Sequence, residues 1–96
     1  MRDVYIVAYD ICNPKRLRYV HKITKSFGEP LQYSVFLCRL DKKRLRKLRT
    51  QLNREIKEDE DQILIIKLGP ESNLRHLSFS ALGKPMIVKQ RVPIIV

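Results

Sequence analysis

The apolar residues in the first third of the chain first form a continuous strand-like run and then recur at helical spacing. Strand-forming residues fill positions 3–9, which predicts a β-strand that closes at Asp10. Asn13-Pro14 then predicts a helix start, because Asn caps free backbone N–H groups and Pro suits the first turn. Gly28 is a helix stop. The apolar stripe between them recurs at helical spacing: Leu17, Val20, Ile23 or Thr24, and Phe27.

The middle of the chain holds a strand-forming stretch and then a second helical stripe. Positions 31–40 are rich in strand formers but contain no Gly to mark a turn, so one long strand and a kinked hairpin both fit. Asp41 is a suitable cap for the helix that follows. We expect that helix to end near Lys57, because the acidic run 58–61 would oppose the dipole at a helix C-terminus. Its stripe consists of Leu45, Leu48, Leu52 and Ile56.

The last third contains one clear strand and a less regular tail. Positions 62–68 predict a strand whose centre, 63–66, is apolar on both faces, and Gly69-Pro70 is expected to end it. We expect a loop over 71–84. Positions 86–92 predict a last strand, which Pro93 lets continue only at a sheet edge.

These elements predict a small sheet with both helices on one face. Two helices cover only one side of a sheet, yet the central strands are apolar on both sides. The apolar tail Ile94-Ile95-Val96 also needs cover. In a chain of 96 residues, a second copy of the chain is the economical cover, so we expect a homodimer.

The net charge of +10 is concentrated in one segment. Residues 14–57 hold fourteen Lys and Arg and three acids, a local net charge of +11, and the rest of the chain has a net charge of −1. Such asymmetry favours a polyanionic partner. Nucleic acid fits better than a membrane, since neither helix has a wide apolar face flanked by Trp.

The cysteines and the N-terminus indicate a reducing cytoplasm. Cys12 and Cys38 form no CxxC pair, and no zinc-ligand spacing surrounds His21 or His76. Two lone cysteines are typical of buried thiols in a reducing compartment. The start Met1-Arg2-Asp3 lacks a signal-peptide apolar region, and no apolar run reaches membrane-spanning length. We therefore expect a cytoplasmic localisation.

Asp10 is the candidate for chemistry. An acid at the end of a strand and beside a helix start is well placed to hold a metal ion. From the residues alone, a cap on local backbone N–H groups is the commoner role for Asp, and the family resemblance described below favours the metal ligand. For the other candidate residues, we prefer a structural role to a catalytic or binding role. Tyr9 and Phe36 are expected in the core, His21 in solvent, and Ser34 lacks a partner that would make it a nucleophile.

Several segments, in order, resemble one known family. These are Tyr9-Asp10-Ile11, the basic helix ending at Gly28, the motif Gln32-Tyr33-Ser34-Val35-Phe36-Leu37-Cys38, and a strand led by Asp61. Together they resemble the CRISPR-associated endoribonuclease Cas2 family, the small second subunit of the spacer-acquisition complex. The resemblance runs from about Val4 to Leu68.

The resemblance implies an α+β fold, a ferredoxin-like βαββαβ sandwich with an extra C-terminal strand. One domain would span 1–96, with a core over about 1–68 and a loop and dimer-exchanged strand over about 69–96. The family hairpin implies a short and a longer strand within 32–40. It also implies a homodimer through the sheet faces.

The resemblance also implies a function in CRISPR antiviral defence, during spacer acquisition. Asp10, one from each subunit, would be the catalytic residue and would hold Mg²⁺, with Mn²⁺ as a substitute, in an endonuclease that cuts RNA or double-stranded DNA. The alternative is a non-catalytic DNA-binding adaptor that bridges dimers of the CRISPR integrase subunit. Pro30 stands where family members commonly have Arg, so positive charge near Asp10 would have to come from Arg16, Arg18 or Arg39.

The basic segment supplies the predicted nucleic-acid contacts. Its cations would bind phosphates of duplex DNA or single-stranded RNA without reading sequence. The predicted nucleic-acid-binding residues are Lys15, Arg16, Arg18, Lys22, Arg39, Lys42, Lys43 and Arg46.

Overall fold

The computed structural model describes residues 1–74 and 78–83, and the backbone of 94–95. Two helices and a sheet form a small α+β fold, which confirms the predicted class. In chain order the elements are β1 (Asp3–Asp10), α1 (Pro14–Phe27), β2 (Glu29–Gln32), β3 (Val35–Leu40), α2 (Lys42–Glu55), β4 (Gln62–Pro70), a 3-10 helix (Glu71–Asn73), β5 (Phe79–Ser80) and β6 (Ile94–Ile95).

Strands β1 to β4 form one antiparallel sheet in the order β2-β3-β1-β4. β1 is central. It pairs with β3 from Asp3 to Ala8, and with β4 along its whole length, so that Asp10 lies opposite Gln62. The C-terminal end of β1 and the start of β4 therefore lie side by side at one end of the sheet.

The stretch 31–40, for which one strand and two strands both fitted the sequence, is a hairpin. β2 and β3 pair in antiparallel fashion, and Tyr33-Ser34 forms the turn between them. β2 is an outer strand of this sheet, and it contains Pro30. Proline has no N–H to donate, so an outer strand is where a sheet accepts it.

Both helices begin at the predicted caps. The side chain of Asn13 accepts hydrogen bonds from the backbone N–H groups of Lys15 (2.9 Å) and Arg16 (3.0 Å). Asp41 does the same for the N–H of Arg44 at 2.7 Å. α1 ends before Gly28 as predicted, and α2 ends at Glu55, within two residues of the predicted end. No helix in the described ranges is long and apolar enough to cross a membrane.

The main core lies between the two helices and one face of the sheet. Alternate residues of β1 and β3 point towards the helices, and these are almost fully buried. The core residues are Tyr5, Val7, Tyr9, Ile11, Val20, Phe27, Phe36, Cys38, Leu40, Leu48 and Leu52. The predictions that Tyr9 and Phe36 belong to the core are confirmed.

The other face of the sheet is apolar, and its β4 side is exposed. Alternation places Ile6 and Ala8 of β1 on this side, opposite Ile66 and Leu64 of β4. We call these four residues the open face. Leu64 and Ile66 are 49% and 48% exposed. The prediction that β4 is apolar on both faces is therefore confirmed.

Only one end of that side is covered. There Leu74 and Phe79 pack near Val4 and Leu37, which are buried. The segment after β4 thus shields the far end of the sheet from solvent. The end nearer to Asp10 has no such cover among the described residues.

Two C-terminal predictions were wrong. β4 runs on to Pro70, because its register against β1 shifts at the extra residue Leu68 and pairing then continues through Gly69, which has a φ of +132°. The stretch 71–84 is not simply loop, since it contains the 3-10 helix and β5. β5 pairs with β6 in parallel. The strand predicted over 86–92 lies outside the described residues.

Candidate metal and nucleic-acid site

Asp10 is the last residue of β1 and faces the same side of the sheet as the open face. Tyr9, its neighbour, points into the helix layer, so alternation turns Asp10 to the opposite side. Its side chain is exposed. Among residues 1–74 and 78–83, it has no hydrogen bond or ion pair. The carboxylate is therefore available to a ligand.

The local-cap interpretation of Asp10 does not match the structure. The first N–H groups of α1 are capped by Asn13, and the N–H of Cys12 donates to Asp61 at 3.1 Å. The groups that Asp10 could have capped already have acceptors. Its carboxylate therefore has no structural role within the described chain.

The donor chemistry suits a hard cation, but one chain supplies only part of a site. No three His, Cys, Asp or Glu side chains in the described ranges converge on one point. Mg²⁺ is commonly held by one or two carboxylates, with water and substrate phosphates filling the other positions. Asp10 fits that pattern, and an Asp10 from a second copy would supply the second carboxylate.

A buried carboxylate next to this site was missed from the sequence. Asp61 accepts from the Arg16 guanidinium at 2.7 Å and from the backbone N–H of Lys57 at 2.8 Å, in addition to Cys12. The hydrogen bond from Arg16 is the main reason why the pKa of Asp61 lies well below its usual range. The sequence placed Asp61 in an acidic run and at the head of a strand, but nothing in the spacing linked it to Arg16.

Two of the three arginines expected near Asp10 are already paired. Arg16 binds Asp61 and also Glu60, at 3.2 Å. Arg39 lies 3.4 Å from both Glu29 and Glu71, and its side chain is only 10% exposed.

Arg39 is also distant from Asp10 along the sheet. It pairs with Val4, six residues before Asp10 in β1, which corresponds to about 20 Å of strand. Arg18 is different: it is exposed on α1 and has no ion pair in the described ranges. Arg18 is thus the one of the three whose guanidinium is available to a phosphate.

The remaining predicted cations lie on the outer surface of the helices. They are exposed side chains of two helices that pack against each other on one side of the sheet. They are Lys15, Lys22, Lys42, Lys43 and Arg46. Asp10 faces the other side, so the structure separates the candidate metal ligand from the cationic helix surface.

A stack of rings stands near the end of β1. The His21 ring lies 4.6 Å from the Tyr33 ring, nearly parallel at 16°. His21 Nδ1 is 2.8 Å from the hydroxyl of Tyr9, which also donates to the Tyr33 carbonyl at 3.0 Å. The prediction of a solvated His21 was wrong, because Tyr9 draws the imidazole against the core.

The Tyr9 hydroxyl lies between the His21 imidazole and the backbone of the turn that carries Tyr33. Burial, followed by the charge of Tyr33, raises the pKa of Tyr9 to about 12, so the hydroxyl keeps its single hydrogen at neutral pH. That hydrogen is donated to the carbonyl of Tyr33, which can only accept. The Tyr9 oxygen can in turn accept a hydrogen bond from His21 Nδ1, which lies 2.8 Å away.

Comparison with known proteins places the chain among CRISPR-associated proteins. The family model described as "CRISPR associated protein Cas2" matches residues 2–75. The "CRISPR-associated endoribonuclease Cas2" of Geobacter sulfurreducens is 42% identical over 94 residues, covering 96% of this chain and 98% of the relative. The "CRISPR-associated endoribonuclease Cas2 1" of Rhodospirillum rubrum is 39% identical over 92 residues, covering 96% and 89%.

A solved structure agrees with the fold. The crystal structure of Streptococcus pyogenes Cas2 at pH 6.5 superposes with a TM-score of 0.69 at 30% identity. It covers 83% of this chain and 99% of its own. The similarity therefore extends over most of the described elements.

Proposed function

The chain belongs to the CRISPR-associated Cas2 family, and we propose that it is a homodimeric, metal-dependent endonuclease of CRISPR antiviral defence that acts in spacer acquisition. The family resemblance predicted from the sequence is confirmed. Two relatives carry the name endoribonuclease, which supports hydrolysis of phosphodiester bonds. The observation that carries the proposal is the exposed Asp10 carboxylate, which has no partner among the described residues.

The architecture supports the finer fold proposal. Strands and helices follow one another as βαββαβ, and the antiparallel order β2-β3-β1-β4 puts the first and third strands in the centre. This order supports a ferredoxin-like sandwich with the helices on one face. The 3-10 helix and β5 follow it as a C-terminal addition.

The open face supports a dimer through the sheets. Ile6, Ala8, Leu64 and Ile66 form a contiguous apolar surface, and monomeric proteins rarely leave such a surface in water. Covering it with a second copy would bury it by an isologous contact. Asp10 lies at the end of this surface, so a two-fold axis near Ala8 and Leu64 would bring the two carboxylates towards each other.

Two facing carboxylates would create the metal site that one chain lacks. Like charges at close range repel each other unless a proton or a cation lies between them, so the pair would attract a divalent ion such as Mg²⁺ or Mn²⁺. When bound, such a cation polarises a phosphoryl oxygen and lowers the pKa of a bound water. Asp10 holds the cation, whereas Arg18 is exposed on α1, on the helix side of the sheet, and is available to phosphates that lie along the helices.

The Arg16–Asp61 ion pair supports the position of Asp10 by joining the chain segments next to it. It ties the first turn of α1 to the residue just before β4, on either side of the end of β1. Asp10 and Gln62 are paired at that same end of the sheet. Arg16 therefore acts as a positioning residue that holds the backbone around Asp10.

A second candidate function is a non-catalytic adaptor that holds duplex DNA and bridges CRISPR integrase dimers. The specific observation in its favour is that the cationic helix surface lies on the side of the sheet away from Asp10. Duplex DNA bound there would not need the carboxylate. The two functions are compatible, since they use opposite sides of the same sheet.

A nuclease assay on Asp10→Asn tests the enzyme proposal. The substitution keeps size but removes the charge that attracts Mg²⁺. Asp59→Asn is the matched control, since Asp59 is an exposed acid outside the site. We expect wild type and control to cut RNA or duplex DNA with Mg²⁺ or Mn²⁺, and Asp10→Asn or added EDTA to abolish cutting.

The outcomes separate the two functions. Cleavage that survives Asp10→Asn or chelation would assign the activity to another site. If wild type cuts no RNA or DNA substrate but binds duplex DNA, the adaptor function stands alone. Asp10→Asn should fold, dimerise and bind DNA as wild type does, which light scattering and a binding titration check.

A further inference from the structure

Tyr33 presents an aromatic ring to solvent on a fixed support. It lies in the turn between β2 and β3 and is 62% exposed. One face of its ring is covered by His21, at 4.6 Å between ring centroids. Its other large surface has no ring partner among the described residues. An exposed Tyr is common, but one stacked on a second ring is held in a single orientation.

The support beneath Tyr33 reaches into the core. His21 bonds to the buried Tyr9 hydroxyl at 2.8 Å and contacts the ring of Phe36 edge-on at 5.5 Å. Tyr9 in turn donates to the carbonyl of Tyr33 itself. The ring and the turn that carries it are therefore held by the same hydroxyl. A ligand that stacks on Tyr33 would find the ring already ordered, so little side-chain entropy would be lost.

Cations flank the stack. Arg18 and Lys25 lie three residues before and four residues after His21, on the same stripe of α1, and both are exposed. An aromatic platform beside cations is the combination that binds single-stranded nucleic acid, in which bases stack on rings and phosphates lie against the charges. Tyr19 on the same helix is also exposed, yet it has no ring partner in the described ranges.

We propose that the exposed face of Tyr33, backed by His21, is a stacking site for an unpaired nucleobase of single-stranded nucleic acid. The proposal rests on the proposed nucleic-acid binding and goes beyond it by naming the ring on which an unpaired base stacks. Bases inside a duplex are already stacked on their neighbours, so the platform accepts only an unpaired base. The phosphates next to that base would lie against Arg18 and Lys25.

The test compares a single-stranded oligonucleotide of about eight nucleotides with an abasic chain of the same phosphate number. Both are titrated in EDTA, so that no cleavage occurs, together with a duplex of equal length. The proteins are wild type, Tyr33→Ala, Tyr33→Phe and the control Tyr19→Ala. Thermal unfolding and light scattering verify that each variant keeps its fold and its oligomeric state.

We expect wild type to bind the base-containing strand roughly five- to 150-fold more tightly than the abasic chain. Tyr33→Ala should bring that ratio close to one and leave duplex affinity unchanged. Tyr33→Phe and Tyr19→Ala should keep the wild-type ratio, because each retains the stacking ring.

Four results would overturn the proposal. An unchanged ratio in Tyr33→Ala would show that the bases stack elsewhere. Loss of the dimer in Tyr33→Ala would make the ring an interface residue. Equal binding of base-containing and abasic strands by wild type would refute the stacking site alone, whereas no binding to any nucleic acid would refute the proposed function with it.

Discussion

The Arg16 guanidinium donates to Asp61 at 2.7 Å, across 45 residues of sequence. The Asp61 side chain has no exposed surface, while that of Arg16 is 23% exposed. Two backbone N–H groups, from Cys12 and Lys57, also donate to this carboxylate. A buried carboxylate with such partners loses much of its stabilisation when it is protonated or replaced.

Asp61 should make the folding stability of the chain sensitive to acid. Its pKa is lowered on folding, mainly by Arg16, so the folded chain holds a proton on Asp61 less tightly than the unfolded chain does. The stabilisation is therefore present at neutral pH and is lost as pH falls below about 5. We expect Asp61→Asn to be less stable than wild type at pH 7 and to have a flatter stability profile below about pH 5.

Thermal unfolding at fixed protein concentration, over about pH 3 to 8, measures this effect. Asp59→Asn is the control, because it removes an exposed acid of the same run and should leave the profile unchanged. An Asp61→Asn variant as sensitive to acid as wild type would show that another group is responsible.

The oligomeric state should depend on the open face. Light scattering at micromolar concentration should give twice the chain mass for wild type. Ile66→Lys would place a charge in the centre of the interface, and we expect the dimer to weaken on the order of a hundredfold, which is about 2.7 kcal/mol. Tyr19→Lys is the control, because Tyr19 is exposed on α1, on the other side of the sheet from this face. A monomeric wild type, or an Ile66→Lys variant with undiminished dimerisation, would contradict the sheet-face dimer.

Duplex DNA binding should be salt-sensitive and indifferent to sequence. If a dimer neutralises roughly six phosphates, log affinity should fall against log salt with a slope near −5. Replacing Lys42, Lys43 and Arg46 together by Gln should make that slope shallower by several units, because a protein that neutralises fewer phosphates releases fewer counterions. Lys67→Gln, on β4, should have little effect. A flat salt response of wild type would exclude binding through phosphates.

Gly28 should resist substitution for reasons of space. A Cβ at this position would overlap the Cys38 sulfur and the Leu37 carbonyl oxygen. The backbone there is extended, so the cost arises from packing alone. We expect Gly28→Ala to lower the free energy of unfolding by about 1–3 kcal/mol. Ser26→Ala, on the exposed side of the same turn, should cost much less; denaturant unfolding compares the two variants.

Local signals in the sequence were enough to predict where both helices begin. Asn13 and Asp41 do cap α1 and α2, because a cap depends only on the next three residues. The hairpin could not be decided in the same way. Its turn at Tyr33-Ser34 uses no glycine and no positive φ, so it leaves no compositional mark.

The surroundings of the candidate site depended on contacts between distant segments. Asp10 could be singled out because its strand and the following helix start are adjacent in sequence. The pairing of Arg16 with Asp61 spans two helices and two strands, and no spacing rule links such positions. The surroundings of His21 were predicted wrongly for the same reason, since the hydroxyl that holds this α1 residue belongs to Tyr9 of β1.

The alternation of β1 has a consequence for how this sequence can change. Tyr9 and Asp10 are neighbours that face opposite sides of the sheet, one holding the ring stack and the other the candidate metal site. A point substitution at either position alters one side only. A single-residue insertion or deletion within β1 would exchange the two sides, because it turns every later side chain over. Single substitutions in β1 therefore alter one surface at a time, whereas a change in its length would disturb both surfaces.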